Sequence, residues 1–361
     1  MGSVVNAKKN EIEVDSHKLV YHPQKVVDWL SGRRIHPLYV EIGPTNACNH
    51  RCKFCALDFL RRGTEFIKKE IMISTFEEFG KNGVKSVMFG GEGEPLLHPD
   101  LPLFMKAAKS YRLDVAITTN GSLFTESRAI ECLPHLTWMR FSFDGGSPES
   151  YADTHGVSAN EFDKVVENIK TAVSIRNEKN LQTTIGVQCV LLPHNADDIM
   201  DLAKLCKFMG VDNLQVKPYS RHPNSHNYFD INYEDDQSDR IAEELSGLSS
   251  DRFEVLYRKQ TIERLQKEVI YDECHGTSFF ALIDAYGNVI PCNMFYGQPE
   301  FTYGNLNEQS FSEIWESERR VDISKRLCKE RIETCRKGCR LDAANRYLHR
   351  IKHPHPHDNF L

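Results

Sequence analysis

Short apolar runs alternate along most of the chain with longer amphipathic stretches, a pattern typical of strands and helices in regular succession. The apolar runs predict strands at Tyr39–Ile42, Ser86–Phe89, Asp114–Thr118, Trp138–Phe143, Thr184–Leu192 and Asn213–Pro218. The amphipathic stretches predict helices over Leu101–Tyr111, Ser127–Leu133, Glu161–Asn177 and Ala196–Met209. Strands separated by helical segments of about ten residues or more predict βαβ units and a parallel sheet, which is an α/β fold.

The segments outside this pattern divide the rest of the chain. Residues 1–37 are polar and then carry a short helix around Val26–Leu30, so we expect an N-terminal arm or cap. Residues 226–273 are expected to connect two domains, with a polar start and then a strand and helix over Phe253–Tyr271. The remaining residues, 274–361, form a second cysteine-bearing region with a histidine-rich tail.

Composition limits the class of protein. At 361 residues, 40% of them hydrophobic and 27% charged, the chain can bury one large domain and a small one. The net charge of −6 and the absence of a basic block predict no nucleic-acid partner. No apolar run is long enough to span a membrane and no signal peptide is evident, so a cytoplasmic protein without membrane contact is expected. In that compartment the 11 cysteines, several at short spacings, indicate metal binding rather than disulfides.

Three cysteines follow the first predicted strand at the spacing C-x3-C-x2-C: Cys48, Cys52 and Cys55. Three thiolates on one loop can hold three irons of a [4Fe–4S] cluster and leave the fourth iron open to another ligand. A zinc site is the alternative, although zinc prefers four protein ligands in closed sites. The spacing alone leaves both interpretations open.

This segment, with the aromatic Phe54 before the last cysteine, resembles the signature of the radical S-adenosylmethionine (SAM) enzymes. The resemblance implies a partial (β/α)6 TIM-like barrel over residues 38–225, with chemistry at the carboxyl ends of the strands. It also implies that SAM binds the open iron and is cleaved to a 5′-deoxyadenosyl radical, which abstracts hydrogen from a substrate. A flavodoxin- or ferredoxin-type protein is the expected electron donor.

The resemblance extends to the predicted strand ends. Phe89–Leu97 resembles the family's GGE motif, which implies SAM contacts at Gly93 and Glu94 and leaves Glu92 without an assigned role. The next two strand ends resemble the SAM ribose and methionine contacts of the family, which implies roles for Thr119, Asn120, Ser142 and Asp144. Without the resemblance, these segments are also ordinary turns with solvated polar side chains.

Period-two alternation in the last two predicted strands selects further candidates. If Val187 and Cys189 face the helices, Gln188 faces the barrel interior near SAM or substrate, and Cys189 is a packing residue. Gln215 and Lys217 are turned inward by the same reasoning. An interior lysine is costly to bury unpaired, so Lys217 should meet an acid or an anionic substrate group, and a structural ion pair is the alternative.

The second cysteine-bearing region contains Cys274, Cys292, Cys328, Cys335 and Cys339. A hairpin of Phe279–Ile283 and Val289–Ile290 would bring Cys274 and Cys292 together, and Cys335 and Cys339 would complete a closed [4Fe–4S] or zinc site. The arrangement resembles the twitch domain, a shortened SPASM domain with one auxiliary cluster, built from a β-hairpin and helices. The last pair has the spacing C-x3-C where the family has C-x2-C, so Cys328 is an alternative ligand.

The resemblance implies an enzyme that oxidises or epimerises a polar small molecule, such as a carbohydrate or aminocyclitol. Peptide-modifying relatives have a peptide-binding domain before the barrel, whereas about 37 residues precede it here, so a peptide maturase is the second expectation. Lys217 is the candidate base for oxidation, and Cys328 is the candidate hydrogen donor for epimerisation. The alternative from another class is a zinc-stabilised binding protein without catalysis.

Overall fold

Ten strands lie side by side in one sheet within residues 17–231, 233, 236–327 and 332–360, which the computed structural model describes. The strands are β1 Tyr39–Ile42, β2 Ser86–Phe89, β3 Asp114–Thr119, β4 Trp138–Ser142, β5 Thr184–Leu191, β6 Asn213–Pro218, β7 Glu254–Tyr257, β8 Phe280–Ile283, β9 Asn288–Ile290 and β10 Gly304–Asn305. The helices are α1 Pro23–Leu30, α2 Lys69–Lys81, α3 Leu101–Ser110, α4 Glu126–Cys132, α5 Pro148–His155, α6 Asn160–Glu178, α7 Ile199–Met209, α8 Asp236–Ser246, α9 Lys259–Gln266, α10 Phe311–Glu316, α11 Glu318–Lys325 and α12 Asp342–Lys352.

The strand order is β10-β9-β8-β1-β2-β3-β4-β5-β6-β7. Strands β1 to β6 follow each other in chain order and pair in parallel, with a helical crossover between successive strands. This is the partial (β/α)6 barrel arrangement that the resemblance implies, and the α/β fold class predicted from the strand and helix pattern is confirmed.

Two helices of the barrel were not among the predicted elements. Helix α2 connects β1 to β2 and buries Met72, Phe76 and Phe79, which recur at the spacing of one helical face. Helix α5 is short, and it begins where the Ser147 side chain accepts a hydrogen bond from the Ser150 amide. Both helices lie next to the loops that carry the candidate site.

The auxiliary hairpin continues the sheet of the barrel. Strand β8 pairs in parallel with β1, and β9 and β10 continue the sheet in antiparallel pairing. At the opposite edge, the predicted connecting segment supplies α8 and also β7, which pairs with β6. The edges of a six-stranded open barrel would expose unpaired backbone groups, and these additional strands satisfy them.

The helix-facing side of the sheet forms the main hydrophobic core. Phe76 and Phe104, from α2 and α3, pack on Phe89 of β2 with ring centroids 6.2 and 6.4 Å away. The predicted packing role of Cys189 is confirmed, because it is fully buried there, as are Cys132 and Cys206. This core fixes the strands whose other face lines the barrel interior.

The opposite face of the barrel strands is polar. The Tyr39 hydroxyl lies 3.4 Å from the Met88 sulfur, and the Thr118 hydroxyl lies 3.7 Å from the same atom. Further along, Arg140 donates to Gln188 Oε1 over 3.4 Å. This interior ends at the carboxyl ends of the strands, directly below the loop that carries Cys48, Cys52 and Cys55.

The predicted N-terminal arm packs against the C-terminal end of the chain. Val26 of α1 and Leu348 of α12 belong to a small hydrophobic cluster with Phe279, which precedes β8. The arm therefore covers the start of the auxiliary region and lies away from the cysteine loop.

Candidate functional site

The loop after β1 carries the first three cysteines at the carboxyl end of the barrel. Its two ends are joined by a bridge between Thr45 and Phe66, and the Glu65 amide donates to Asn46 Oδ1 over 2.9 Å. Cys48, Cys52 and Cys55 are partly exposed free thiols on this loop. The closed base holds the three thiols on one short segment above the strand ends.

Gly93 and Glu94 lie directly beneath this loop. The Glu94 amide donates to the Ala47 carbonyl oxygen over 2.8 Å. A Cβ atom at Gly93 would lie 2.3 Å from the Thr45 carbonyl oxygen and 2.4 Å from that of Ala47, so only glycine fits. The strand end predicted to contact SAM therefore also sets the position of the cysteine loop.

The Glu94 carboxylate is buried and satisfied within the protein. Its Oε1 accepts from the Thr119 hydroxyl over 2.6 Å and from the Leu96 amide over 3.1 Å, and its Oε2 accepts from the Asn120 amide over 2.8 Å. Burial raises the pKa of Glu94, and these hydrogen bonds oppose that rise. The Glu94 side chain therefore joins the ends of β2 and β3. The backbone of Glu94, and not its carboxylate, faces the cysteine loop.

The end of β3 contacts the cysteine loop through Asn120. Asn120 Nδ2 donates to Asn49 Oδ1 over 2.8 Å, and Asn49 Nδ2 donates to the Ser122 hydroxyl over 2.7 Å. Thr119 is 2% exposed and its hydroxyl is donated to Glu94, whereas Thr118 lies on the interior face. Thr118 is therefore the threonine whose hydroxyl reaches the barrel interior. The resemblance implies a SAM contact for its neighbour, Thr119.

The end of β4 reaches Cys52 through a buried histidine. The Ser142 hydroxyl donates to Asp144 Oδ2 over 3.0 Å, and Asp144 Oδ1 accepts from the Val190 amide over 2.5 Å. The Asp144 amide lies 3.1 Å from His155 Nε2, Asp144 Oδ2 lies 3.3 Å from the same nitrogen, and His155 Nδ1 lies 3.3 Å from Cys52 Sγ. Asp144 is fully buried. Its position is better suited to holding His155 in place than to contacting SAM directly, which is the role that the resemblance implies.

The end of α5 is paired with the cysteine loop. The Arg51 amide donates to the His155 carbonyl oxygen and the Lys53 amide donates to that of Thr154, each over 2.9 Å. Gly156 ends the helix with φ 62°, and a Cβ atom there would lie 2.5 Å from the Arg51 carbonyl oxygen. The contact between Cys52 and His155, 103 residues apart, depends on this close approach.

Arg62 is a second side chain that contacts a cysteine of the loop, and sequence reasoning did not identify it. Arg62 Nη2 lies 3.1 Å from Cys55 Sγ. The Arg62 guanidinium is a donor that favours the thiolate form of Cys55. Arg62 lies seven residues after Cys55 in a loop without periodicity, so no sequence pattern identifies it.

The barrel interior places Gln188 and Lys217 as alternation predicts. Val187 and Cys189 are fully buried on the helix side, and Gln188 contacts Arg140 across the interior. Lys217 pairs with Val190 in the β5–β6 register, and no hydrogen bond or ion pair of its ammonium group is found within the described ranges. Burial, together with the positive charges of Arg336, Arg258 and Arg140, lowers the pKa of Lys217 to about 7, and the negative charge of Asp144 opposes this change.

Four thiols of the auxiliary region converge next to β8. Cys274 and Cys292 lie on either side of the hairpin, and both belong to one hydrophobic cluster with Cys339. Burial, together with Cys339 and Cys335, raises the pKa of Cys274 to about 12. The pKa of Cys292 is raised by burial and by the same neighbours. Cys328, the alternative ligand and proposed hydrogen donor, lies outside the described residues.

Both cysteine sets fit the metal clusters that their spacing suggested. The pKa of Cys52 is raised by burial and by the neighbouring Asp144, Cys55 and Cys48, so free thiolates would be costly in each set. A bound metal removes this cost because it deprotonates the thiols it coordinates. The loop offers three thiols and the auxiliary region offers four, which corresponds to one open and one closed cluster.

Glu92 connects the end of β2 to the end of β8. It is 5% exposed, its Oε1 accepts from the Ala285 amide over 2.9 Å, and a Cβ atom at Gly43 would lie 2.3 Å from Oε2. Burial and the nearby Asp284 raise the pKa of Glu92 to about 8. Glu92, for which the sequence assigns no role, therefore links the barrel to the auxiliary hairpin.

Glu92 is expected to make the folded state less stable as the pH rises. Between pH 4.5 and about 8 the unfolded chain releases the Glu92 proton and the folded chain retains it, so the free energy of unfolding falls with pH, by roughly 4–5 kcal/mol from this group. Urea denaturation across this range should show a flatter pH dependence for Glu92→Gln. The exposed Glu167→Gln is the control and should follow the wild-type curve; equal curves for all three proteins would contradict the assignment.

Two family models match the chain over these same regions. The model described as the radical SAM superfamily matches residues 42–206, and the model described as an iron-sulfur cluster-binding domain, SPASM, matches residues 274–340. The chain belongs to the radical SAM superfamily and carries a C-terminal SPASM-type domain. The two domains imply a [4Fe–4S] cluster that binds SAM and an auxiliary cluster, so the predicted cofactors are confirmed.

Individual relatives differ in what their names state. The chain is 28% identical over 305 residues to the tungsten-containing aldehyde ferredoxin oxidoreductase cofactor-modifying protein of Pyrococcus furiosus, a match covering 78% of this chain and 81% of that protein. It is 28% identical over 185 residues to the dTDP-4-amino-4,6-dideoxy-D-glucose ammonia-lyase of Streptomyces venezuelae, covering 48% of this chain and 36% of the lyase.

Solved structures share the fold. Streptococcus suis SuiB bound to S-adenosylmethionine superposes with a TM-score of 0.64 at 20% identity, covering 84% of this chain and 72% of SuiB.

None of the helices in the described ranges has the length and apolar character needed to cross a membrane.

Proposed function

We propose that this radical SAM enzyme abstracts hydrogen from a polar small molecule, carbohydrate or aminocyclitol-like, and oxidises or epimerises it. The observation that carries the proposal is the loop of Cys48, Cys52 and Cys55 above a barrel interior lined by polar and charged side chains. A cavity of this character suits a hydroxyl- or amine-bearing molecule, whose groups need hydrogen-bond partners when removed from water.

The cysteine loop is proposed to hold the SAM-binding cluster through Cys48, Cys52 and Cys55. When bound, such a cluster supplies the electron that cleaves SAM to methionine and the 5′-deoxyadenosyl radical. The chain contributes the guanidinium of Arg62 toward Cys55 and, when Nδ1 carries the ring proton, the N–H of His155 toward Cys52. Hydrogen bonds to the sulfurs shift the reduction potential of such a cluster.

SAM is proposed to lie between the loop and the strand ends. Backbone groups at Gly93 and side chains of Asn120, Ser142 and Gln188 are available for its polar groups. Glu94, Thr119 and Asp144 are proposed to act indirectly, because their side chains hold the strand ends, the loop and His155 in place. Glu94, Thr119 and Asp144 are at most 3% exposed, whereas Ser142 and Gln188 are partly exposed.

The auxiliary cluster is proposed to bind Cys274, Cys292, Cys335 and Cys339. In an oxidation, Lys217 would accept the proton from substrate, and a pKa of about 7 suits a base at neutral pH. In an epimerisation, a thiol must return a hydrogen atom, and Cys328 is the proposed donor. A flavodoxin- or ferredoxin-type protein is the proposed electron donor.

A small-molecule substrate is favoured over a peptide by the relatives named above. One of them is a lyase of a nucleotide-linked amino sugar, and another modifies a cofactor. The likeness to SuiB, at 20% identity, concerns the fold and does not select a peptide substrate.

The test is reductive SAM cleavage with deuterated substrates. Anaerobically reconstituted enzyme, dithionite and SAM should give 5′-deoxyadenosine, and a deuterated sugar or aminocyclitol that is a substrate should transfer its label to that product. Label transfer only from a deuterated peptide would replace the proposal with the peptide maturase. A protein that contains zinc, lacks iron and does not cleave SAM would replace it with the non-catalytic binding protein.

A further inference from the structure

Arg140 places a guanidinium group inside the barrel, and no carboxylate among the described residues pairs with it. It lies on β4 between Met139 and Phe141, which face the helix-side core, so its side chain faces the interior. Its guanidinium stacks on the Trp138 ring, 4.9 Å from the centroid, and makes one long hydrogen bond of 3.4 Å to Gln188. Of its five N–H donors, the others have no protein acceptor within the described ranges.

Further positive charges surround this group. Lys217 of β6, Arg258 after β7, and Arg336 and Arg340 from the auxiliary region all interact electrostatically with Arg140 or with one another. The interior acid Glu41 is already paired with Arg340. The repulsion and the burial together lower the pKa of Arg140 to about 10, which shows that its charge is costly in this position.

The two cofactors account for only part of this charge. Arg336 and Arg340 are sequence neighbours of Cys335 and Cys339, so they can offset the negative charge of the auxiliary cluster. The SAM carboxylate belongs near the cysteine loop. Arg140 is a sequence neighbour of neither cysteine set, and it lies two residues before Ser142, about 7 Å deeper in the barrel at the rise of a strand.

We propose that the substrate carries a carboxylate or phosphate group and that Arg140 binds this oxyanion inside the barrel, beside Gln188. This inference rests on the proposed function and specifies its substrate class as anionic. A guanidinium presents a planar pair of donors that matches two oxygens of either group. The ring of Trp138 holds the guanidinium in place, so less side-chain freedom is lost when the anion binds. Arg258 and Arg336 add positive potential and leave Lys217 available as the proton acceptor.

The test measures binding of simple oxyanions to the complete enzyme. Holoenzyme reconstituted with both clusters and saturated with SAM, so that the SAM carboxylate site is filled, is titrated anaerobically with inorganic phosphate and separately with malonate by calorimetry. At least one anion should bind, phosphate indicating a phosphorylated substrate and malonate a carboxylated one. Arg140→Gln should weaken that binding by about tenfold or more.

Two further variants keep the result interpretable. Arg140→Lys retains the charge and loses the planar fork, so it should fold and still bind the anion more weakly than the wild type. Arg33→Gln, at a 70% exposed side chain, should bind as the wild type does. Failure of both anions to bind the wild type, or equal binding to Arg140→Gln and the wild type, would overturn the inference. Absence of 5′-deoxyadenosine from the wild type would instead overturn the proposed function, so the two failures are distinguishable.

Discussion

Replacing Cys48, Cys52 and Cys55 together with alanine is expected to abolish reductive cleavage of SAM and leave the auxiliary cluster in place. The three thiols are the cysteines of the loop after β1, and the auxiliary thiols lie on separate elements beside β8. Iron should fall from roughly eight to roughly four per chain, because one of two [4Fe–4S] clusters is lost. The measurements are iron content and 5′-deoxyadenosine formation with dithionite.

The matched control for this variant is Cys132→Ala. Cys132 is fully buried in the helix-side core of α4, so its removal takes away a thiol without touching either set. It should keep both clusters and SAM cleavage. Continued 5′-deoxyadenosine formation by the triple variant would mean that SAM is activated elsewhere in the protein.

The reciprocal prediction concerns Cys292→Ala in the auxiliary region. The three thiols that remain lie on separate elements and not on one short loop as in the first set, so the auxiliary cluster should be lost and iron should again fall to roughly four per chain. SAM cleavage should continue, since the loop of Cys48, Cys52 and Cys55 is intact. Product formation from substrate should be lost if the auxiliary cluster takes up the second electron of an oxidation.

Electron paramagnetic resonance of the reduced Cys292→Ala enzyme separates the two clusters. The remaining signal should change when SAM is added, because the cluster that remains is the one with an open iron. Cys206→Ala, another fully buried core cysteine, serves as the control and should retain both signals. A Cys292→Ala enzyme with wild-type iron content would show that Cys292 is not a ligand.

The elements of the barrel could be predicted because their information is local. The bounds of β1, β2 and β6 agree with the prediction at both ends, since apolar runs bounded by polar turns define them. The pairing of β8 with β1 could not be predicted, because the two strands are separated by most of the chain and nothing in either run specifies its neighbour. Alternation along a strand therefore predicts which face a residue lies on, but it does not predict which strand lies beside it.

The candidate site likewise combines features that are local in the sequence with contacts between distant residues. The cysteine spacing and the ends of β2 to β4 indicate the site locally, and alternation correctly places Gln188 in the interior. Alternation also places Thr118 and Arg140 there, so both were within reach of sequence reasoning. The contacts of His155 with Cys52 and of Glu92 with Ala285 join residues 103 and 193 positions apart, and no local pattern specifies them.

Iron and acid-labile sulfide per chain, measured on anaerobically purified wild-type protein, test the two-cluster enzyme most directly. The three thiols of the loop and the four thiols beside β8 predict roughly eight irons and eight sulfides per chain, with negligible zinc. Stoichiometric zinc without iron would contradict the enzyme, and iron near four that Cys292→Ala does not lower would contradict the auxiliary cluster.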